Sequence, residues 1–157
     1  MFKHILVPTD GSRLSLESAR AAVLLARSLG ARVTAFFAAP PATPIAYKAL
    51  LPVGYVAPEE HRKRIEKAAR AYLGAVERAA KAAGVPCETA VATSDFPADA
   101  ILAAARKCRC DLVFMASHGR RGLRGSPLLG SETQKVLARA PIPVLVFRKP
   151  RVAATAR

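Results

Sequence analysis

Apolar residues in this chain switch repeatedly between two periodicities, and that alternation constrains the fold more than any other feature. Residues 3–8 (KHILVP), 31–38 (ARVTAFFA), 87–93, 111–116 (DLVFMA) and 143–148 (PVLVFR) are short, β-rich apolar runs. Between them, 14–29, 59–83, 96–107 and 131–138 read as helices. Leu16, Ala19, Val23 and Ala26 recur three and four apart, and Gly30 and Gly84 stand where helix-ending glycines belong. Asp95 is the expected N-cap of the third helix, with Pro97 in its first turn. Strands alternating with helices imply an α/β domain with an open parallel sheet and helices on both faces. Right-handed crossovers leave few arrangements of the five strands. A length of 157 residues fits one domain, placed at 1–149, with a basic, disordered tail at 150–157.

The connection at 39–58 holds five of the twelve prolines and is too long for a simple turn. No run approaches the roughly 18 apolar residues of a membrane helix. The start, Met1 to Pro8, lacks the apolar segment of a signal peptide and reads as a strand. Cys87, Cys108 and Cys110 form no disulfide framework, so the expectation is a reduced, cytoplasmic protein. Cys108 and Cys110 have no second Cys or His pair in sequence and read as ordinary residues at a helix end. The formal charge of +14 favours anionic partners. A nucleic-acid-binding module, resting on this charge and the basic tail, is a third and least favoured reading, since the chain has nine aromatic residues and no recognition motif.

In open α/β sheets, ligands bind beyond the carboxyl ends of strands, where the strand order reverses. Two loops suit that role. Pro8-Thr9-Asp10-Gly11-Ser12 follows the first strand, and Asp10 could accept from a base amino group or a ribose hydroxyl. Asp10 and Ser12 suit capping of the next helix equally well. Ala116-Ser117-His118-Gly119-Arg120-Arg121-Gly122 follows the fourth strand and runs on to Gly130-Ser131-Glu132-Thr133. Its glycines admit backbone N–H groups to a phosphate, and Gly130-Ser131 opens a helix whose N-terminus favours negative charge. A solvated connector would have a similar composition. Neither a P-loop nor a dinucleotide glycine fingerprint is present. His118 has no neighbouring carboxylate or cysteine in sequence to make a catalytic set, so no catalytic residue is assigned and no enzyme activity is expected.

ILVPTDGS, FMASHGRRG, LLGSETQKVL and PIPVLVFR, in this order over residues 2–149, resemble the universal stress protein family. The resemblance implies a Rossmann-like sheet in the order 3-2-1-4-5, with strands one and four side by side. It also implies ATP as ligand, with Mg²⁺ as a possible companion. Members that bind ATP share Gly, two residues, Gly, nine residues, then Gly and Ser or Thr. Here Gly119 and Gly130-Ser131 match, Ala116 replaces the first glycine, and ten residues instead of nine separate Gly119 from Gly130. Ser126-Pro127 marks the extra one. By the same resemblance Pro8, Thr9 and Asp10 line adenine and ribose, and Phe37 or Ala38 covers the base. Met115, Ala116 and Gly119 meet ribose and phosphates, Ser131 and Thr133 donate hydroxyls to phosphate, and Arg120 and Arg121 are candidate phosphate contacts. Glu132 is expected to turn away from the phosphates. The resemblance further implies a homodimer through strand 143–148. A dimeric regulator without nucleotide stands as the alternative, favoured by Ala116 and the altered spacing.

Overall fold

In a computed structural model of the chain, residues 1–42, 58–120 and 128–149 are described. The elements are β1 (His4–Pro8), α1 (Arg13–Leu29), β2 (Arg32–Ala39), α2 (Pro58–Ala83), β3 (Cys87–Thr93), α3 (Pro97–Lys107), β4 (Leu112–Ala116), α4 (Ser131–Arg139) and β5 (Val144–Phe147). Arg121, Ser126-Pro127, the tail at 150–157 and most of the 39–58 connection lie outside the described residues. The strands form one parallel sheet in the order β3-β2-β1-β4-β5. That is the order the family resemblance implied.

Strand alternation divides the core into two layers. Ile5, Val7, Val33, Ala35, Phe37 and Phe114 pack with Ala19 and Val23 of α1 and Leu73 and Val76 of α2. Leu6, Phe36, Val113 and Met115 pack with Ile101 of α3 and Val136 of α4 on the opposite face. Strands buried on both faces explain why β1 and β4 read as unbroken apolar runs rather than alternating ones. Each fully buried Val, Leu, Ile or Phe side chain contributes about 1.5–3 kcal/mol, so the two layers together supply the main driving force.

Local signals set the ends of the helices. Ser12 is the N-cap of α1, its Oγ accepting from Ser15 N at 3.2 Å. Gly30 closes α1 at φ 61°, the left-handed conformation that glycine adopts without a Cβ penalty. The start of α3 departs from the sequence reading. The cap position is Phe96, not Asp95, and it makes no side-chain cap bond. Ser94 Oγ accepts from Phe96 N at 3.0 Å, and Glu132 Oε2 of α4 accepts from Ala98 N at 2.9 Å. A carboxylate from a neighbouring helix thus satisfies a first-turn N–H that a local cap would otherwise take. The same bond turns Glu132 away from the N-terminus of its own helix.

At the opposite end of the sheet, Asp111 accepts from Lys3 N at 2.8 Å and His4 N at 3.0 Å, tying β4 to the start of β1. His4 is buried, with Nε2 2.7 Å from Thr34 Oγ1, and among the described residues Nδ1 makes no hydrogen bond of ordinary geometry. Burial, and secondarily Arg32, hold its pKa below the ordinary 6.5, against the opposing pull of Glu88 and Asp111. The unfolded chain therefore takes up this proton first, so stability is complete above pH 6.5 and falls as pH drops through that value. Asp10 and Asp111 have depressed pKa values and titrate below 3.8, outside this window. Urea midpoints should fall between pH 7.5 and 5.5 in the native chain and vary less in His4→Gln. Equal slopes in the two proteins would show that His4 does not carry the effect.

Candidate functional site

The strand order reverses at β1, and there the sheet opens. β1 and β4 pair at Ile5↔Leu112 and Leu6↔Val113, where the ladder between them stops. Each strand continues along its outer neighbour, Val7 and Pro8 beside Ala35 and Phe36, Met115 and Ala116 beside Val146 and Phe147. The two central strands therefore part at their carboxyl ends. The crevice lies at the position where open α/β sheets bind ligands.

Asp10 spans this opening. Its Oδ1 accepts from Ser12 N at 2.9 Å, and its Oδ2 accepts from Arg120 N at 2.8 Å. Burial pushes its pKa up, but hydrogen bonds from Ser12, Arg120 and Ser15 outweigh that and leave it below the ordinary value. Asp10 thus organises the start of α1 and also holds the loop after β4. Gly119 permits the approach, because a Cβ there would collide with Asp10 Oδ2. Thr9 is buried, with N donating to Phe36 O at 2.8 Å and Oγ1 3.1 Å from Ser15 Oγ.

Side-chain alternation places the other candidates on different faces. Pro8 follows Leu6 on the α3/α4 face, and Met115 and Ala38 share that face. Phe37 points into the α1/α2 layer, where its ring meets Tyr72 edge-on at 5.2 Å. Of Phe37 and Ala38, then, Ala38 borders the same face as Met115. Thr133 differs from expectation. Buried, it donates its hydroxyl to Ala116 O at 3.0 Å, which ties α4 to the end of β4 and leaves no hydroxyl proton for a phosphate. Ser131 is exposed at the first turn of α4. Gly130, the N-cap, has no side-chain cap bond, and its N donates to Ser117 O at 2.8 Å. His118 is half-buried, with Nδ1 3.2 Å from Ser117 Oγ.

Tyr72 of α2 was not singled out by the sequence. Its ring lies directly on Gly11 (φ 74°), and its hydroxyl accepts from the Arg120 guanidinium, which sits 5.1 Å from the ring centroid. Tyr72 therefore braces the loops after β1 and β4 from a third element. The one available signal is that it is the only aromatic residue in α2, on the stripe of Ile65, Ala69 and Val76. Among the described residues no group of three His, Cys, Asp or Glu side chains is arranged to hold a metal ion. No described helix is long and apolar enough to cross a membrane.

The family model of the universal stress protein family matches residues 1–148. A universal stress protein of Thermus aquaticus is 36% identical over 148 residues, which is 94% of this chain and 100% of that protein. A universal stress protein solved in complex with cAMP has a TM-score of 0.67 at 24% identity, covering 95% of this chain and 99% of that one. The universal stress protein of Archaeoglobus fulgidus in complex with dAMP has a TM-score of 0.61 at 18% identity, covering 93% and 98%. These two structures show the shared fold.

The brace at Gly11 yields a graded prediction. Gly30→Ala, where an added Cβ meets nothing within 4 Å, should cost about 1 kcal/mol from left-handed strain alone. Gly11→Ala adds a collision with the Tyr72 ring and should cost roughly 1–3 kcal/mol more. Chemical denaturation of both variants checks the ranking, and equal losses would remove the proposed brace.

Proposed function

The chain belongs to the universal stress protein family, and on that premise we propose that it binds an adenine nucleotide, ATP foremost, where β1 and β4 part. The observation that carries this reading is the end of the β1/β4 ladder at Leu6 and Val113 while both strands run on. Proteins of the same fold occur in complex with cAMP and dAMP, which supports an adenine nucleotide as the class of ligand.

Pro8, Ala38 and Met115 offer an apolar wall for the base, and Thr9 and Asp10 lie at its ribose edge. The first turn of α4 presents the N–H groups of Ser131, Glu132 and Thr133 at a helix N-terminus, where a phosphate is favoured by both hydrogen bonding and the helix dipole. Gly130 keeps that approach free of a side chain. Ser131 offers its hydroxyl, Arg120 its guanidinium, and Arg121 is a further candidate for phosphate contact. Ala116, where the nucleotide-binding pattern has glycine, sits one residue beyond Met115 and therefore on the opposite strand face. Any Mg²⁺ would be bound through the phosphates and water, its usual mode with nucleotides. The chain's role is binding, with a change of state or partner as its output, in a cytoplasmic stress response.

We further propose a homodimer through β5, within the expected strand 143–148. β5 closes one side of the sheet, with β4 as its single neighbour among the described residues and Leu145 exposed, and an open apolar edge invites antiparallel pairing with a copy. A dimeric regulator without nucleotide is a second reading, favoured by one contact. Asp10 Oδ2 occupies the space above Gly119.

Titration calorimetry with ATP, ADP, AMP and cAMP in the presence of Mg²⁺ tests the nucleotide. Saturable heat is expected, weakened by about tenfold or more in Asp10→Ala and Gly130→Val variants whose melting curves show a folded protein. A chain that sediments as a dimer yet gives no saturable heat would establish the second reading instead.

A further inference from the structure

The charge of +14 is not absorbed by a nucleotide crevice. The fold gathers much of it at the other end of the sheet. Because every strand pairing is parallel, strand starts and helix ends meet on one side of the molecule. Arg27, Lys81, Arg106 and Lys107 occupy the last turns of α1, α2 and α3. Lys3 and Arg32 stand at the starts of β1 and β2, joined by Arg32 N donating to Lys3 O at 3.0 Å, and Arg109 lies in the turn before β4. All seven side chains are exposed, and among the described residues none takes part in an ion pair. The nearby carboxylates are Glu77, Glu88 and Asp111, and Asp111 is engaged by the N–H groups of Lys3 and His4.

Helix dipoles account for part of this arrangement, since cations are favoured in a last turn. They account for Arg109 too, which directly follows the C-cap of α3, but not for Lys3 and Arg32, which stand where β1 and β2 begin. Lys3, Arg32 and Arg109 belong to β1, β2 and the approach to β4, adjacent strands spaced about 5 Å apart, with the basic helix ends flanking them on both faces. We propose that this end of the molecule docks the phosphate backbone of duplex nucleic acid, without reading its sequence. Duplex DNA carries one charge per roughly 1.7 Å of axis, so a cation surface of this breadth meets several phosphates at once. Four of the seven residues are arginines, whose planar fork matches phosphate oxygens. Among the described residues no exposed aromatic side chain is present there to stack single-stranded bases. Met1 and, in the last turn of α4, Leu137 are the large exposed apolar side chains near that end among the described residues, which leaves a lipid surface little to anchor. The surface lies opposite the β1/β4 crevice, so it stands whether or not a nucleotide binds there.

Fluorescence anisotropy with a ~20-bp labelled DNA duplex, from about 50 to about 200 mM salt, tests the surface. The native chain should bind two unrelated duplex sequences equally, with affinity falling steeply as salt rises. Lys3→Gln/Arg32→Gln/Arg109→Gln should lose about tenfold or more at low salt and show a shallower salt slope. Lys63→Gln/Lys67→Gln/Arg70→Gln, which removes the same charge from the exposed face of α2, should lose about threefold or less. Far-UV circular dichroism confirms that both triple variants are folded. Equal losses would reduce the effect to net charge and overturn the assignment. So would binding to anionic lipid vesicles but not to duplex, or no duplex binding at about 50 mM salt.

Discussion

One carboxylate holds together the two loops on which the site depends. Asp10 accepts from Ser12 N on its own loop and from Arg120 N on the loop after β4. Without that bridge nothing in the backbone ladder would fix one loop relative to the other, because β1 and β4 stop pairing at Leu6 and Val113. The bridge makes demands on its neighbours. Gly119 has to lack a side chain, and Gly11 has to take φ 74° beneath the Tyr72 ring. Tyr72 in turn receives Arg120 and packs on Phe37, so α2 is part of the same assembly. Two of these hydrogen bonds run to the half-buried carboxylate of Asp10, where each is worth more than a neutral pair.

Much of the fold was legible because two periodicities are hard to confuse over whole elements. The five apolar runs and four helical stripes emerge as the five strands and four helices, and Gly30 and Gly84 both take left-handed conformations at helix ends. What failed was local reasoning where a tertiary partner intervened. Asp95 has the right chemistry for a cap, yet α3 takes its first-turn acceptor from Glu132, 34 residues away along the chain. Thr133 has the right position for a phosphate donor, yet Ala116 O lies 3.0 Å from its hydroxyl. Tyr72 could be read as a core residue but not as a brace, because its partners Gly11 and Arg120 lie far from it in sequence. Phe37 and Ala38 were indistinguishable until the sheet fixed which face each occupies.

A parallel α/β sheet also gives the molecule two chemically distinct ends. Helix N-termini and strand ends meet at the crevice, whereas helix C-termini and strand starts meet opposite it. At the first end the main chain itself is electropositive, and anions are held by N–H groups. At the second end the dipoles run the other way, and basic side chains compensate them. Net charge read from a sequence merges these two kinds of positive surface. Only the strand directions separate them.

The central claim is that the space between β1 and β4 is a ligand site, and backbone amide chemical shifts during an ATP titration address it most directly. A nucleotide held there should move the amides of Thr9 to Ser12, Ala116 to Arg120 and Gly130 to Thr133 together, with β3 and the ends of α1 and α2 unmoved. Shifts confined to the basic end at Lys3, Arg32 and Arg109, or no saturable shift at any amide, would contradict it.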